Sequence, residues 1–197
     1  MIRKLSDLAA AEERRQAVRD VAAHFLRREW SLARLRAAFE QGLCDAPALW
    51  REMQVLGWDR IEPTGEEMGA VELCALVEEA GFAMAPTPLV ACVVGRAVLR
   101  GSPAEASAAL PVLAHAEPRR SSDLLYTTTS ATGTGAGYRL EGEKRFVAYG
   151  AQADVLIIPA RFENGEPGLF AVDAQAANLE RTPLGMLDAS ACAALRL

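Results

Sequence analysis

The groups that could do chemistry gather in one short run, AEPRRSSD from Ala116 to Asp123. There the hydroxyls of Ser121 and Ser122 sit beside Arg119 and Arg120. Hydroxyls and backbone amides donate hydrogen bonds and guanidinium groups add charge, so the run suits an anion, with a solvated loop as the alternative. His115, Glu117 and the two serines also hold the ingredients of a nucleophilic triad. Residues so close along an extended chain alternate faces, however, and do not converge. Gly133, Gly135 and Gly137 have the look of a phosphate loop, but they join strand to strand, which is the place of a hairpin turn.

These residues lie where the chain changes character. Before Pro111 one helical pattern follows another; after Ser122 the sequence reads as strands and tight turns. Ligand sites favour the crevices where domains meet, which points to this junction. From Leu8 to Arg28, Val18, Val21, Ala22 and Phe25 recur on one helical stripe, with His24 beside it. A second helix is expected from Leu32 to Gln41, with Leu32, Leu35 and Phe39 inward and Gly42 ending it. The next starts at Asp45 and Pro47, buries Leu49, Met53 and Leu56, and stops at Gly57. Thr64 and Glu67 have capping-box spacing and open a helix to Gly81 that is apolar over most of its circumference. Near its end Glu78 and Glu79 read as pairing, solvated or pocket-lining acids. Thr87 and Pro88 begin another helix, and Ser102 to Glu105 a short last one.

Beyond the junction, β-branched and aromatic runs alternate with turns. Asp154 to Phe162 and Gly168 to Asp173, flanking Asn164-Gly165, give the strongest hairpin signal. The fold class expected is α+β: an N-terminal helical bundle over residues 1–110, then a small antiparallel β-barrel or sandwich over residues 111–197.

Composition bounds the function. A net charge of -5 and a pI near 5.2 argue against a nucleic acid or an anionic membrane held by bulk charge. The start, MIRKLSDLAAAEERR, lacks the apolar stretch of a secretory signal. The apolar run after Pro88 is short of the ~20 residues that cross a bilayer, so a cytoplasmic protein without membrane insertion is expected. Cys44, Cys74, Cys92 and Cys192 are scattered and make no metal-ligand spacing with His24 and His115, so reduced, mostly buried thiols are expected.

Five segments, taken in order, resemble the acyl-CoA dehydrogenase family: LWREMQVLGW (Leu49 to Trp58), VELCALVEEAGFAMAPTPLV (Val71 to Val90), AEPRRSSD, GYRLEGEKRFVAYGAQADVLIIPAR (Gly137 to Arg161) and GLFAVD (Gly168 to Asp173). The resemblance implies a helical N-terminal domain, a central β domain, FAD as cofactor and an acyl-CoA thioester as substrate, desaturated between its α and β carbons. An oxidase or flavin monooxygenase reaction on the same fold stays open. In the matching loop, Ser122 would meet a phosphate of cofactor or substrate. The Ala116 backbone amide would face the pyrimidine end of the flavin, and Leu113 occupies a position that is often aromatic. Phe146, Val147 and Ala148 stand where the family has Trp-Ile-Thr, which covers the isoalloxazine ring and bonds its N5. Two flavin-touching hydroxyls are thus replaced, at Ala116 and Ala148.

The chain ends at CAALRL, before the resemblance reaches the family's C-terminal four-helix domain, which carries the catalytic carboxylate, an arginine for the FAD pyrophosphate and tetramer contacts. No catalytic residue is assigned. The expectation is a flavoprotein whose site is completed by that domain or by a partner in a homo- or hetero-oligomer. The alternative is a non-catalytic partner subunit that binds no flavin of its own.

Overall fold

The computed structural model describes residues 5–41, 46–65, 68–118, 126–135, 137–187 and 189–197. Within them the chain forms two compact units, Met1–Val93 and Val94–Leu197.

The first unit is helical: α1 (Leu5–Glu29), α2 (Leu32–Glu40), α3 (Pro47–Val55), α4 (Ala70–Phe82) and the start of α5 (Leu89–Leu99). Ala22, Phe25 and Leu26 of α1 are buried, and Phe25 meets Trp58 edge to face at 5.0 Å between ring centroids. Val21 departs from the expected stripe and is exposed, as are Leu32, Phe39 and Leu56; of the α2 residues read as inward, only Leu35 is buried. The Ser31 hydroxyl accepts from the Arg34 amide and starts α2, and Gly57 ends α3 in the left-handed conformation. Gly42, Cys44, Asp45 and Glu67 lie outside the described residues.

Helix α4 begins at Ala70, later than the Thr64 spacing predicts. Its capping carboxylate is Glu72, which accepts from the Gly69 amide at 3.0 Å and from Arg14 at 3.2 Å. The apolar side chains do not wrap the whole helix in protein. Ala75, Leu76 and Ala80 are buried while Val71 and Cys74 are exposed. Glu78 and Glu79 both pair with Arg19 of α1.

The second unit carries the strands: β1 (Pro111–Leu113), β2 (Ser130–Thr134), β3 (Gly137–Glu141), β4 (Glu143–Ala148), β5 (Val155–Phe162), β6 (Pro167–Asp173), β7 (Glu180–Leu184) and β8 (Cys192–Arg196). They make two sheets, β1-β5-β2-β3 with β6 on β5, and β4-β8-β7. The first sheet is mixed: β1 and β2 both run parallel to β5, which corrects the all-antiparallel expectation. Parallel pairs need long connections, and here each pair is separated by many residues, so no local turn signal reports them. The β5–β6 hairpin forms around Asn164-Gly165, with Gly165 at φ 84°. Gly133 lies in β2 and Gly137 in β3, which pair antiparallel.

Asp154 seats β1 beside β5. Its carboxylate accepts from the Ala109 and Leu110 amides at 2.6 and 2.7 Å. Where α5 passes this edge, a Cβ on Gly95 would lie 2.1 Å from the Pro111 carbonyl oxygen, a distance that only glycine permits.

Candidate functional site

The segment after β1 and strand β4 come together in the second unit. Leu113 ends β1, half-buried and opposite Ile157. Three residues on, Ala116 is buried, and its carbonyl accepts from the Arg145 amide of β4 at 2.8 Å. Phe146 and Ala148 follow on β4, both exposed. Ser122, with Arg119, Arg120 and Ser121, lies outside the described residues. The structure thus joins the Ala116 backbone to the strand that bears Phe146 and Ala148.

Strand β4 does not alternate regularly. Lys144 is opposite Leu195 of β8, but Val147 is opposite Ala193, so β4 holds one residue more than its partner over that interval. The extra residue is a β-bulge, and it reverses the side-chain phase. Lys144 and Val147 both point inward, whereas Arg145 and Phe146 are both exposed. Phe146 takes φ 53°, the left-handed region that L side chains rarely occupy and that costs a residue about 1–2 kcal/mol. The residue is 55% exposed. Backbone strain of this kind clusters at ligand and active sites.

Behind this surface lies a buried ion pair that the sequence reading did not join, between Glu117, read there as a triad ingredient, and Lys144. Glu117 Oε1 is 2.7 Å from Lys144 Nζ, and both side chains are closed off from water. The same oxygen accepts from the Thr127 hydroxyl at 2.6 Å and from the Thr129 hydroxyl and amide at 2.8 and 3.2 Å. Oε2 accepts from the Thr128 amide and hydroxyl at 2.7 and 2.5 Å. Lys144 Nζ donates to the Thr127 hydroxyl and to the Pro159 carbonyl of β5 as well.

Burial alone would push the Glu117 carboxyl up, but the hydrogen bonds from Lys144, Thr127 and Thr128 outweigh it and hold it well below the usual carboxylate range. For Lys144 burial prevails and pulls the ammonium below its ordinary value, against the attraction of Glu117. A carboxylate with both oxygens occupied and no access to solvent cannot abstract a proton from a ligand. It is equally unavailable to orient His115, which removes it from the triad considered above. Among the described residues, no group of three His, Cys, Asp or Glu could hold a metal ion. Nor is any helix among the described residues long and apolar enough to cross a membrane.

The chain thus combines a helical unit with a second unit of two small sheets, one of which carries a bulged strand that presents an aromatic. Solved structures share this fold. The steroid acyl-CoA dehydrogenase Tcur3481-Tcur3483, as a G363A variant, matches with a TM-score of 0.80 and 26% identity, over 95% of this chain and 55% of that one. The ChsE4-ChsE5 complex of Mycobacterium tuberculosis matches with a TM-score of 0.79 at 23% identity, over 94% and 54%. By sequence, cyclohex-1-ene-1-carbonyl-CoA dehydrogenase of Geobacter metallireducens is 34% identical over 123 residues, covering 54% of this chain and 32% of that protein. No family model matches the chain. These matches bear out the resemblance read from the sequence: the chain is a relative of the acyl-CoA dehydrogenases and carries their fold. It spans about half the length of the solved structures named here, and its match to the curated relative takes in about a third of that protein.

Proposed function

We propose that this chain is the flavin-facing part of an acyl-CoA dehydrogenase-type oxidoreductase, in which FAD lies along Phe146 and Ala148 with the Ala116 backbone toward its pyrimidine end. The observation that carries the reading is the exposed Phe146, held at φ 53° by the bulge of β4. An aromatic face presented to the outside stacks against a planar ring system. Ala148, next to it on the exposed face, has only a methyl group to displace.

An exposed aromatic and a methyl group suit a planar, apolar ring, and these residues would hold it by stacking and by backbone groups, since neither Ala116 nor Ala148 has a side-chain donor. Bound FAD would supply the hydride acceptor for desaturation of an acyl-CoA thioester. The chain's own part is to seat that acceptor and shield one of its faces from water. The proton-abstracting base comes from outside the described residues, in a further segment or in a partner subunit of a homo- or hetero-oligomer; a cytoplasmic setting goes with this reading. Leu113 would flank the same surface, and Ser122 would meet a phosphate.

Anaerobic addition of CoA thioesters to the FAD-loaded protein tests the reaction. Bleaching of the flavin absorbance supports a complete site with the base supplied by a partner copy; a protein that takes up no FAD rejects the flavin reading and leaves the non-catalytic partner.

A further inference from the structure

The buried pair Glu117–Lys144 stands directly behind the proposed flavin surface and takes no part in chemistry. We propose that Glu117 and Lys144 are positioning residues: together they lock the Ala116 backbone to the bulge of β4 and thereby fix how Phe146 is presented. This deepens the flavin reading and rests on it for its functional consequence.

The geometry supports a lock rather than a general brace. Glu117 directly follows Ala116, and Lys144 directly precedes Arg145. The same two segments are therefore joined twice at adjacent residues, by the ion pair at 2.7 Å and by the Arg145 amide to the Ala116 carbonyl at 2.8 Å. One link would allow the strands to pivot; two neighbouring links set both spacing and orientation. A third contact, from Lys144 Nζ to the Pro159 carbonyl at 2.8 Å, ties the assembly to the central strand β5.

The bulge begins at Lys144, the last residue in register before the extra one. Its inward turn is what sends Phe146 outward. A left-handed aromatic persists only where its surroundings over-determine it, and the anchored Lys144 does this from two residues away. A buried ion pair is weak evidence for stability, because apolar replacements of similar volume are often as stable. Fixing one geometry is a role that buried polar groups fill in some proteins.

The test uses Lys144→Met and the double variant Glu117→Gln/Lys144→Met, which leaves no buried charge unpaired and keeps the fold accessible to measurement. Hydrogen exchange is read first, without flavin. In the double variant the Arg145 amide is expected to lose at least about tenfold of its protection while the β5–β6 hairpin amides keep theirs. An Arg145 amide protected as in the parent would overturn the lock. FAD titration is read second. A thermally stable double variant is expected to bind FAD about tenfold more weakly, one such factor being a small change in free energy, and to give an altered visible circular dichroism of the bound flavin. Equal affinity with an identical spectrum would overturn the positioning role while leaving the flavin reading intact. If the parent binds no FAD, the flavin reading fails, and the exchange measurement still decides whether the pair locks the bulge.

Discussion

Lys144 Nζ stands 2.7 Å from Glu117 Oε1, with both side chains shut away from water. Removing one partner strands the other charge in the interior. Lys144→Met alone is expected to cost roughly 3–5 kcal/mol, and Glu117→Gln/Lys144→Met to recover most of that loss. Urea unfolding midpoints at unchanged slope check the order of the three proteins; a double variant less stable than the single one would contradict it.

The same pair sets an acid limit. The Glu117 carboxyl is held below its ordinary value in the folded chain, so its stabilisation is present above the unfolded carboxyl range, near pH 4, and is lost as pH falls through the folded value. Glu72, whose burial opposes but does not cancel the bonds from the Gly69 amide and Arg14, acts in the same direction. Stability of the parent should decline below about pH 4, and the decline should be shallower in Glu117→Gln. Melting temperatures across pH 2 to 6 would show parallel slopes if Glu117 were uninvolved.

Two glycines mark close approaches whose loss should be felt. A Cβ on Gly142 would lie 2.6 Å from the Thr129 hydroxyl, which donates to Glu117. Gly142→Ala should therefore disturb the buried network. Gly95→Ala, against the Pro111 backbone at 2.1 Å, should disturb the start of β1. Each is expected to destabilise by about 1–3 kcal/mol, as overpacking does. Gly133→Ala, where a Cβ would meet nothing within 4 Å, serves as the control in the same denaturation series.

The switch from helices to strands and the hairpin at Asn164-Gly165 were legible because local chemistry writes them. The ion pair was not. In KRFVAY strict alternation puts Lys144 on one face with Phe146 and Ala148, and only the bulge moves it to the other. No residue type in the run announces that extra residue. Glu117 was legible as a candidate acid, but its partners, Thr127 to Thr129 and Lys144, come from distant parts of the chain. The start of α4 was misplaced for a related reason: Thr64 offers a cap by spacing, yet Glu72 caps Gly69 instead.

Strain at Phe146 separates fold from function. Glycine adopts the left-handed conformation freely, and the residue is more than half exposed, so Phe146→Gly gives up little burial and relieves the backbone. Its stability is expected to stay within about 1 kcal/mol of the parent. FAD affinity is expected to fall in the same protein, as read by flavin fluorescence. A variant that unfolds would contradict the strain argument; a folded one that binds FAD like the parent would remove Phe146 from the flavin surface.

The most direct measurement is a titration of the purified chain with FAD, followed by absorbance and by quenching of the flavin fluorescence. Saturable binding with a resolved, red-shifted flavin band, lost in Phe146→Gly, is the result predicted for a flavin seated on β4. A spectrum that remains that of free FAD throughout the titration would contradict it.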